Sequence, residues 1–383
     1  MRVALVHDYL VQDGGAERVL RVLHEMYPQA PLFTLFHRAK SMGRFFDARD
    51  IRTSFLQHMP FGVRHYQWYL PLMPLAVERL PLHDYDVVIS SSSAFAKGVI
   101  TNPKSLHLCF CHTPTRYLWT ESHSYVEELP YPSFVKALIP PLLARLRIWD
   151  RLAADRVDYF IANSHNVQAR IKKYYRRPST VIYPPVEVEK FAVSGQAPAR
   201  PGPVTTLTGP GLVSNPYFLT GGRLVSYKRF DIVIRAFNAL GIPLKIFGSG
   251  PEEAKLKGLA KPHVMFLGKI TDEEKASLYA HASAFIHPQV EDFGITAVES
   301  MASGRPVIAY GQGGACESIV PGTTGVLFDE QTWECLADTV IRFNARHWDP
   351  VAIRAHALKF SKEVFIQQMR GYVEARWQEF QKL

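Results

Sequence analysis

Two glutamates, Glu291 and Glu299, bound the run Glu-Asp-Phe-Gly-Ile-Thr-Ala-Val-Glu. The run follows a short apolar segment, Ala284–His287, and leads into an apolar helix that ends near Gly304. Gly294 lets the first-turn N–H groups approach a ligand. The positive end of the helix dipole then favours phosphate. Glu299, further along the helix, is placed to accept hydrogen bonds from two vicinal hydroxyls, as a ribose presents them. Glu291, before the helix, is placed to contact a sugar ring. An ordinary helix with acidic residues at its start accounts for Glu291 and Asp292 but gives Glu299 no role.

Cations recur in the same half of the chain. Gly221-Gly222-Arg223 ends a strand, and Lys228-Arg229 follows within a few residues. Arg offers a bidentate fork and Lys a point charge, a pair that suits a diphosphate; solvated surface charge explains the spacing equally well. Phe247-Gly248-Ser249-Gly250 also follows a strand, where a backbone turn can face a base or ribose or can simply connect strand to helix. In the first half, Gly14-Gly15 stand between a strand and a helical pattern, so that backbone N–H groups can approach phosphate or sugar. A tight turn explains the same pair, and the spacing is not that of a nicotinamide-binding loop. His112 lies at the end of the strand His107–Cys111, where a side chain enters a cleft. Cys109 and Cys111 share one face of that strand, but no second ligand pair accompanies them, so they are read as core.

The elements that position these residues are short, fully apolar runs alternating with amphipathic stretches: Val3–His7, Val87–Ser90, His107–Cys111, Tyr159–Ala162, Val181–Tyr183, Tyr217–Thr220, Leu244–Phe247, Val264–Leu267, Ala284–His287 and Val307–Ala309. Buried parallel strands separated by helices make an α/β protein. Residues 1–185 form one doubly wound unit. Residues 186–215 read as a linker, because Ser194 to Asn215 is rich in Pro, Gly, Ser and Thr without periodicity. Residues 216–363 form the second unit. Residues 364–383 read as an amphipathic helix, with Phe365, Tyr372, Trp377 and Phe380, that needs something to pack on. Two open sheets facing each other define a cleft, and ligands bind beyond the carboxyl ends of such strands.

Composition narrows the class. With 383 residues, 47% hydrophobic and 21% charged, the chain has the balance of a soluble globular protein. It has no apolar run of about 18 residues, four cysteines and no leader-like start, so a cytoplasmic protein is expected. The net charge is +9, and residues 133–178 hold ten Lys and Arg against three Asp, a local excess of +7. Solvated helix faces are one explanation; attraction to an anionic leaflet or lipid phosphate is the other. No nucleic-acid motif is present.

In order along the chain stand Gly14-Gly15-Ala16-Glu17-Arg18, His112-Thr113-Pro114, Ala162-Asn163-Ser164, Tyr183-Pro184-Pro185-Val186, Gly222-Arg223-Leu224 with Lys228-Arg229, Gly248-Ser249-Gly250 and Glu291-x7-Glu299. Together they resemble glycosyltransferase family 4, the retaining transferases of GT-B fold: two Rossmann-like domains facing a central cleft. His7-Asp8-Tyr9-Leu10, Thr53–Gln57 and Tyr69–Pro74 resemble the bacterial mannosyltransferases of O-antigen and exopolysaccharide synthesis. The resemblance implies that Arg223 and Lys228 hold the donor diphosphate and that the amides of Phe293, Gly294 and Ile295 bind phosphate and sugar. It also implies that Glu299 binds ribose, that Glu291 contacts the transferred sugar, that Gly14-Gly15 admit the diphosphate, and that His112 sits beside sugar and acceptor. It implies no metal and no cofactor, since Arg and Lys replace a magnesium ion. The C-terminal helix is expected to return to the first domain. Many relatives carry Asn-Gly-Val where this chain has Tyr183-Pro184-Pro185-Val186, and the loop Ser194–Asn215 is an uncommon addition.

The expected activity is transfer of a hexose, mannose from GDP-mannose, to a lipid-linked or glycan acceptor in cell-surface polysaccharide synthesis. A nucleotide-sugar epimerase of the same fold and a non-catalytic sugar-nucleotide-binding subunit are the alternatives. Peripheral contact with the inner face of the cell membrane is expected from the aromatic segment Phe55–Pro81 together with the basic stretch.

Overall fold

The first strand, Val3–His7 (β1), is apolar up to its last residue and buried at every position. It is an interior strand, third in a seven-stranded parallel sheet in the order β3-β2-β1-β4-β5-β6-β7. Its neighbours are Leu32–Thr34 (β2), Ile51–Thr53 (β3), Val87–Ser92 (β4), Leu106–Cys111 (β5), Tyr159–Ala162 (β6) and Ser179–Val181 (β7). A second parallel sheet has six strands in the order β10-β9-β8-β11-β12-β13. These are Tyr217–Gly221 (β8), Leu244–Phe247 (β9), Val264–Gly268 (β10), Ala282–His287 (β11), Val307–Tyr310 (β12) and Gly325–Phe328 (β13). The coordinates are a computed structural model that describes residues 1–39, 44–46, 49–122, 126–127, 132–191 and 216–382. The linker stretch Ser194–Asn215 lies outside the described residues.

The chain divides into two compact units, Met1–Pro185 with Phe365–Leu383, and Val186–Val364. Each is a Rossmann-like α/β layer structure. Alternation sorts each strand of the first sheet onto two cores. Leu5, Ile89, Leu108 and Phe110 face the helix Gly15–Met26 and the C-terminal helix Lys362–Phe380, which inserts Phe365, Met369 and Val373. Val6 and Val88 face the opposite core with Leu143 and Leu146 of the helix Ser133–Ala153. Cys109 and Cys111 are buried among Val157, Phe160 and Ile171, as their shared parity requires.

Three departures from the sequence reading are local. β7 lies two residues earlier than Val181–Tyr183, because Tyr183 precedes Pro184-Pro185 and neither proline can donate to a ladder. β2, β3 and β13, of three or four residues, add to the strands read from the sequence; β3, Ile-Arg-Thr, is a partly buried edge strand without an apolar run. Residues 186–191, assigned to the linker, belong to the second unit: Val186 bridges to Ser361, and Val188 and Phe191 are buried.

Candidate active site

In each sheet the strand order reverses direction beside the first strand, between β1 and β4 and between β8 and β11. The carboxyl ends flanking such a switch point are where open α/β sheets take ligands. In the second sheet those ends carry Gly221-Gly222-Arg223 and the run from His287 to Glu291.

The loop after β8 is fastened to the loop after β9 through backbone hydrogen bonds. Gly222 N–H donates to the Phe247 carbonyl at 3.1 Å, Leu224 N–H to Ser249 at 3.0 Å and Glu252 N–H to Leu224 at 3.1 Å. Gly248 has φ +108, and a Cβ there would lie 1.8 Å from the Gly222 carbonyl oxygen. Gly248 therefore serves the close approach of two backbones, which accounts for it without a base or ribose. The fastening holds the turn Ser226–Lys228 above Gly222. From there Lys228 Nζ reaches Glu291 Oε1 at 2.8 Å, both side chains largely enclosed. Arg223 is exposed on the same loop. Arg229 turns away, toward Asp231 and Gln331.

Glu291 lies in the loop after β11, four residues before the helix Ile295–Ala302. Its carbonyl accepts the Gly314 N–H at 2.7 Å. Its Oε2 faces His287 Nε2 at 3.9 Å. Gly294 caps the helix in the left-handed region, φ +87, where a Cβ would stand 3.2 Å from the His287 ring. Glycine is needed there on both counts. The amides of Ile295 and Thr296 open the helix, where no preceding turn can accept them. Phe293 anchors the approach, with its ring edge-on to Phe360 at 5.4 Å. The structure thus brings together Lys228, Glu291 and the Gly294-led helix terminus.

Glu299 stands apart from this group. It is 0% exposed, with Oε1 on Lys275 Nζ at 3.0 Å and Oε2 on Tyr279 Oη at 3.3 Å. The sequence placed it toward ribose hydroxyls. Here its carboxylate is sealed and held by an ammonium and a phenol from the helix Asp272–His281. Lys275 also reaches Asp272 at 3.1 Å. A buried carboxylate needs such partners, since burial of an unpaired charge costs several kcal/mol.

In the first unit, Gly14 caps the helix Gly15–Met26 in an extended conformation, and its N–H donates to Glu17 Oε2 at 2.8 Å. That amide caps the helix through Glu17; Gly15, the first helical residue, is exposed. His112 sits at the carboxyl end of β5 with Nε2 on Ser91 Oγ at 2.8 Å and its ring edge-on to Phe110. Thr115 and Trp119, just beyond, both donate to the buried Asp150.

Buried histidines give the protein an acid-sensitive stability. Burial lowers His107 and His287 to about 4, and burial with repulsion from His7 lowers His112 to about 3, against an ordinary 6.5. All three are neutral in the fold, while an unfolded chain takes up their protons below 6.5. Stability therefore falls as pH drops from 6.5 toward 4, by about 2 kcal/mol per histidine at pH 5 at 1.36 kcal/mol per unit. The melting temperature is expected to drop between pH 7 and pH 5, and a flat profile over that interval would contradict these assignments.

The sequence reading gives no role to His287, Gln289, Lys275, Tyr279 and Gly314 around the second sheet, or to Ser91 in the first, and quotes His7 and Glu17 only within motifs. His7 and His287 carried a signal: each is a polar residue closing an otherwise apolar strand. No group of three His, Cys, Asp or Glu that could hold a metal ion occurs among the described residues.

Residues 13–190 match the model for glycosyltransferase family 4, and residues 212–350 match the model for glycosyl transferases group 1. A GDP-mannose-dependent alpha-mannosyltransferase of Mycolicibacterium smegmatis is 31% identical over 157 residues, covering 40% of this chain and 42% of that protein. The alpha-1,3/1,6-mannosyltransferase ALG2 of Dictyostelium discoideum is 25% identical over 338 residues, 76% of this chain and 75% of that protein. The first of these matches thus spans less than half of its relative. Among solved structures, Anabaena HepE, crystallised with UDP and glucose, superimposes with a TM-score of 0.71 at 20% identity, covering 98% of this chain and 99% of that one. That likeness is one of fold.

Proposed function

Because the chain belongs to the family 4 and group 1 glycosyltransferases, we propose that it is a retaining mannosyltransferase using GDP-mannose, with a lipid-linked or glycan acceptor in cell-surface polysaccharide synthesis. The observation that carries the reading is the Lys228–Glu291 pair at 2.8 Å beside the Gly294-led helix terminus, at the switch point of the second sheet. When the C1–O bond of the donor breaks, negative charge builds on the diphosphate. Lys228, Arg223 and the amides of Ile295 and Thr296 are the groups available to meet it, and preorganised charges of this kind usually supply the largest catalytic effect. Before donor binds, Lys228 and Glu291 neutralise each other. A diphosphate competes for Lys228 and releases the Glu291 carboxylate to a sugar hydroxyl, so phosphate binding and sugar contact are linked. Mannose is favoured by the mannosyltransferase relatives. Glu299 keeps acceptor capacity beyond Lys275 and Tyr279, but its full burial means that a ribose reaches it only if the carboxylate is uncovered.

A nucleotide-sugar panel read by thermal shift tests this. Native-state binding raises stability by about 2.7 kcal/mol at a hundredfold excess over Kd. GDP-mannose and GDP are expected to raise the melting temperature more than UDP-sugars. Equal shifts with every nucleotide sugar, or none, would remove the donor assignment.

The acceptor side favours a membrane surface. On the helix Ser133–Ala153, Phe134, Leu138, Pro141, Arg145, Ile148 and Leu152 repeat at helical spacing, and all are exposed, Phe134 at 73% and Leu138 at 71%. Phe61 and Trp68, from the aromatic segment, are exposed as well. Within the basic stretch Arg156 pairs with Glu78, which lies outside it, Arg151 pairs with Asp155, and Arg177 is held on four carbonyls while keeping its charge. Apolar side chains interleaved with arginine fit an anionic interface. No helix among the described residues is long and apolar enough to cross a membrane. Co-sedimentation with phosphatidylcholine vesicles, with and without phosphatidylglycerol, is expected to show binding that anionic lipid strengthens and that the double change Phe134→Ser and Leu138→Ser abolishes. Retention of full binding by that variant would rule this surface out.

A further inference from the structure

At the switch point of the first sheet, β1 ends on His7 and β4 ends on Ser91-Ser92, and both His7 and Ser91 are buried. His7 Nδ1 lies 3.1 Å from the Ser91 carbonyl and 3.1 Å from Ser91 Oγ. Ser91 Oγ in turn lies 2.8 Å from His112 Nε2. On the far side, His7 Nε2 faces Glu17 Oε1 at 3.7 Å, while Glu17 Oε2 takes the Gly14 N–H. One line of buried polar groups therefore joins the glycine turn to the histidine at the end of β5.

Hydrogen-bond chemistry gives this line a direction. A carbonyl oxygen only accepts, so His7 Nδ1 carries a proton and donates toward Ser91. Ser91 Oγ can accept the same N–H and donate its own hydroxyl proton to His112 Nε2, the direction the proposal takes. A histidine whose Nε2 accepts is neutral with its proton on Nδ1. Burial pulls His7 down, but the Glu17 hydrogen bond and charge, the Asp8 carboxylate and the Ser91 carbonyl outweigh it, so His7 titrates above its ordinary value. His112 is neutral over the whole physiological range. A neutral His112 that accepts at Nε2 agrees with these directions, which ask of His7 only a proton on Nδ1. The Nδ1 of His112 has no partner among the described residues.

We propose that Glu17, His7 and Ser91 are positioning residues that fix His112 in its Nδ1–H tautomer, so that it presents a neutral N–H donor to a substrate hydroxyl at the carboxyl end of β5. The proposal rests on the transferase reading, in which His112 lies beside the sugar. It also gives Glu17 two duties: its carboxylate caps the helix at Gly14 and orients His7. His7 serves the reaction without touching substrate.

The test is 15N NMR of histidine-labelled full-length protein, with His112 assigned by its loss in His112→Gln, joined to steady-state kinetics with GDP-mannose. The wild type is expected to show His112 as the Nδ1–H tautomer. In Ser91→Ala the population shifts toward Nε2–H and kcat falls about tenfold with little change in KM. His7→Asn keeps an N–H near the place of Nδ1 and is expected to retain most activity, whereas His7→Leu falls as Ser91→Ala does. A purely structural role would not separate the two His7 variants. A folded Ser91→Ala protein that keeps His112 in the Nδ1–H form overturns the proposal. A tautomer shift with unchanged kcat leaves the relay standing and instead overturns the placement of His112 beside the sugar.

Discussion

Lys228→Ala is expected to lower kcat about a hundredfold, close to 2.7 kcal/mol of barrier, while the protein stays folded. The size follows from where Lys228 sits. Its ammonium lies over Gly222, at the switch point of the second sheet, and is enclosed with Glu291 rather than solvated. A charge held there before the reaction needs no reorganisation when the leaving diphosphate develops its own. Glu291→Ala is expected to cost at least tenfold for a different reason: it frees Lys228 but removes the sugar contact. The two effects are not additive, because each side chain positions the other. Steady-state kinetics on the single and double variants check this, with melting temperatures as the control for folding. If Lys228→Ala and Glu291→Ala both keep full activity, the site is elsewhere.

Asp150→Ala is expected to remove about 3–5 kcal/mol of stability, the largest loss from any single change considered. Asp150 is buried on the inward face of the helix Ser133–Ala153, and its carboxylate accepts from Lys97 Nζ, Thr115 Oγ1 and Trp119 Nε1. Both members of the Lys97–Asp150 pair are about 1% exposed. Truncating the acid leaves a buried ammonium and two orphaned donors. The double variant Asp150→Ala with Lys97→Met is expected to recover part of the loss, since no unpaired charge remains. Urea unfolding distinguishes the cases, and an Asp150→Ala protein within about 1 kcal/mol of wild type would contradict the pairing. Thr115 and Trp119 follow His112 directly, so the same carboxylate steadies the loop that carries it.

Much of this was legible in the sequence, for identifiable reasons. Strands such as Val3–His7 and Ala282–His287 are buried at every position and largely apolar because both faces of a parallel sheet are covered, so their runs stand out. Gly294 and Glu291 follow directly from the strand-to-helix turn. The edge strand Ile51–Thr53 escaped notice because it is only partly buried and its Ile-Arg-Thr carries no apolar run. The sealing of Glu299 was not legible either. Nothing in Glu291-x7-Glu299 shows that Lys275, twenty-four residues earlier, packs against it. The relay through His7 and Ser91 joins residues eighty-four apart, brought level only by the pairing of β1 with β4. Gly248 was legible as a residue but not as a role, since a turn that binds and a turn that packs on Gly222 use the same glycine.

The most direct measurement is NMR of the product formed from GDP-mannose and a panel of mannosides and polyprenyl-diphosphate-linked saccharides. A retaining transferase with Lys228 and Glu291 at its donor site yields an α-linked mannoside from the α-linked donor, and the Lys228→Ala protein yields little of it. A β-linked product, or efficient conversion of GDP-mannose with no acceptor present, would contradict that account.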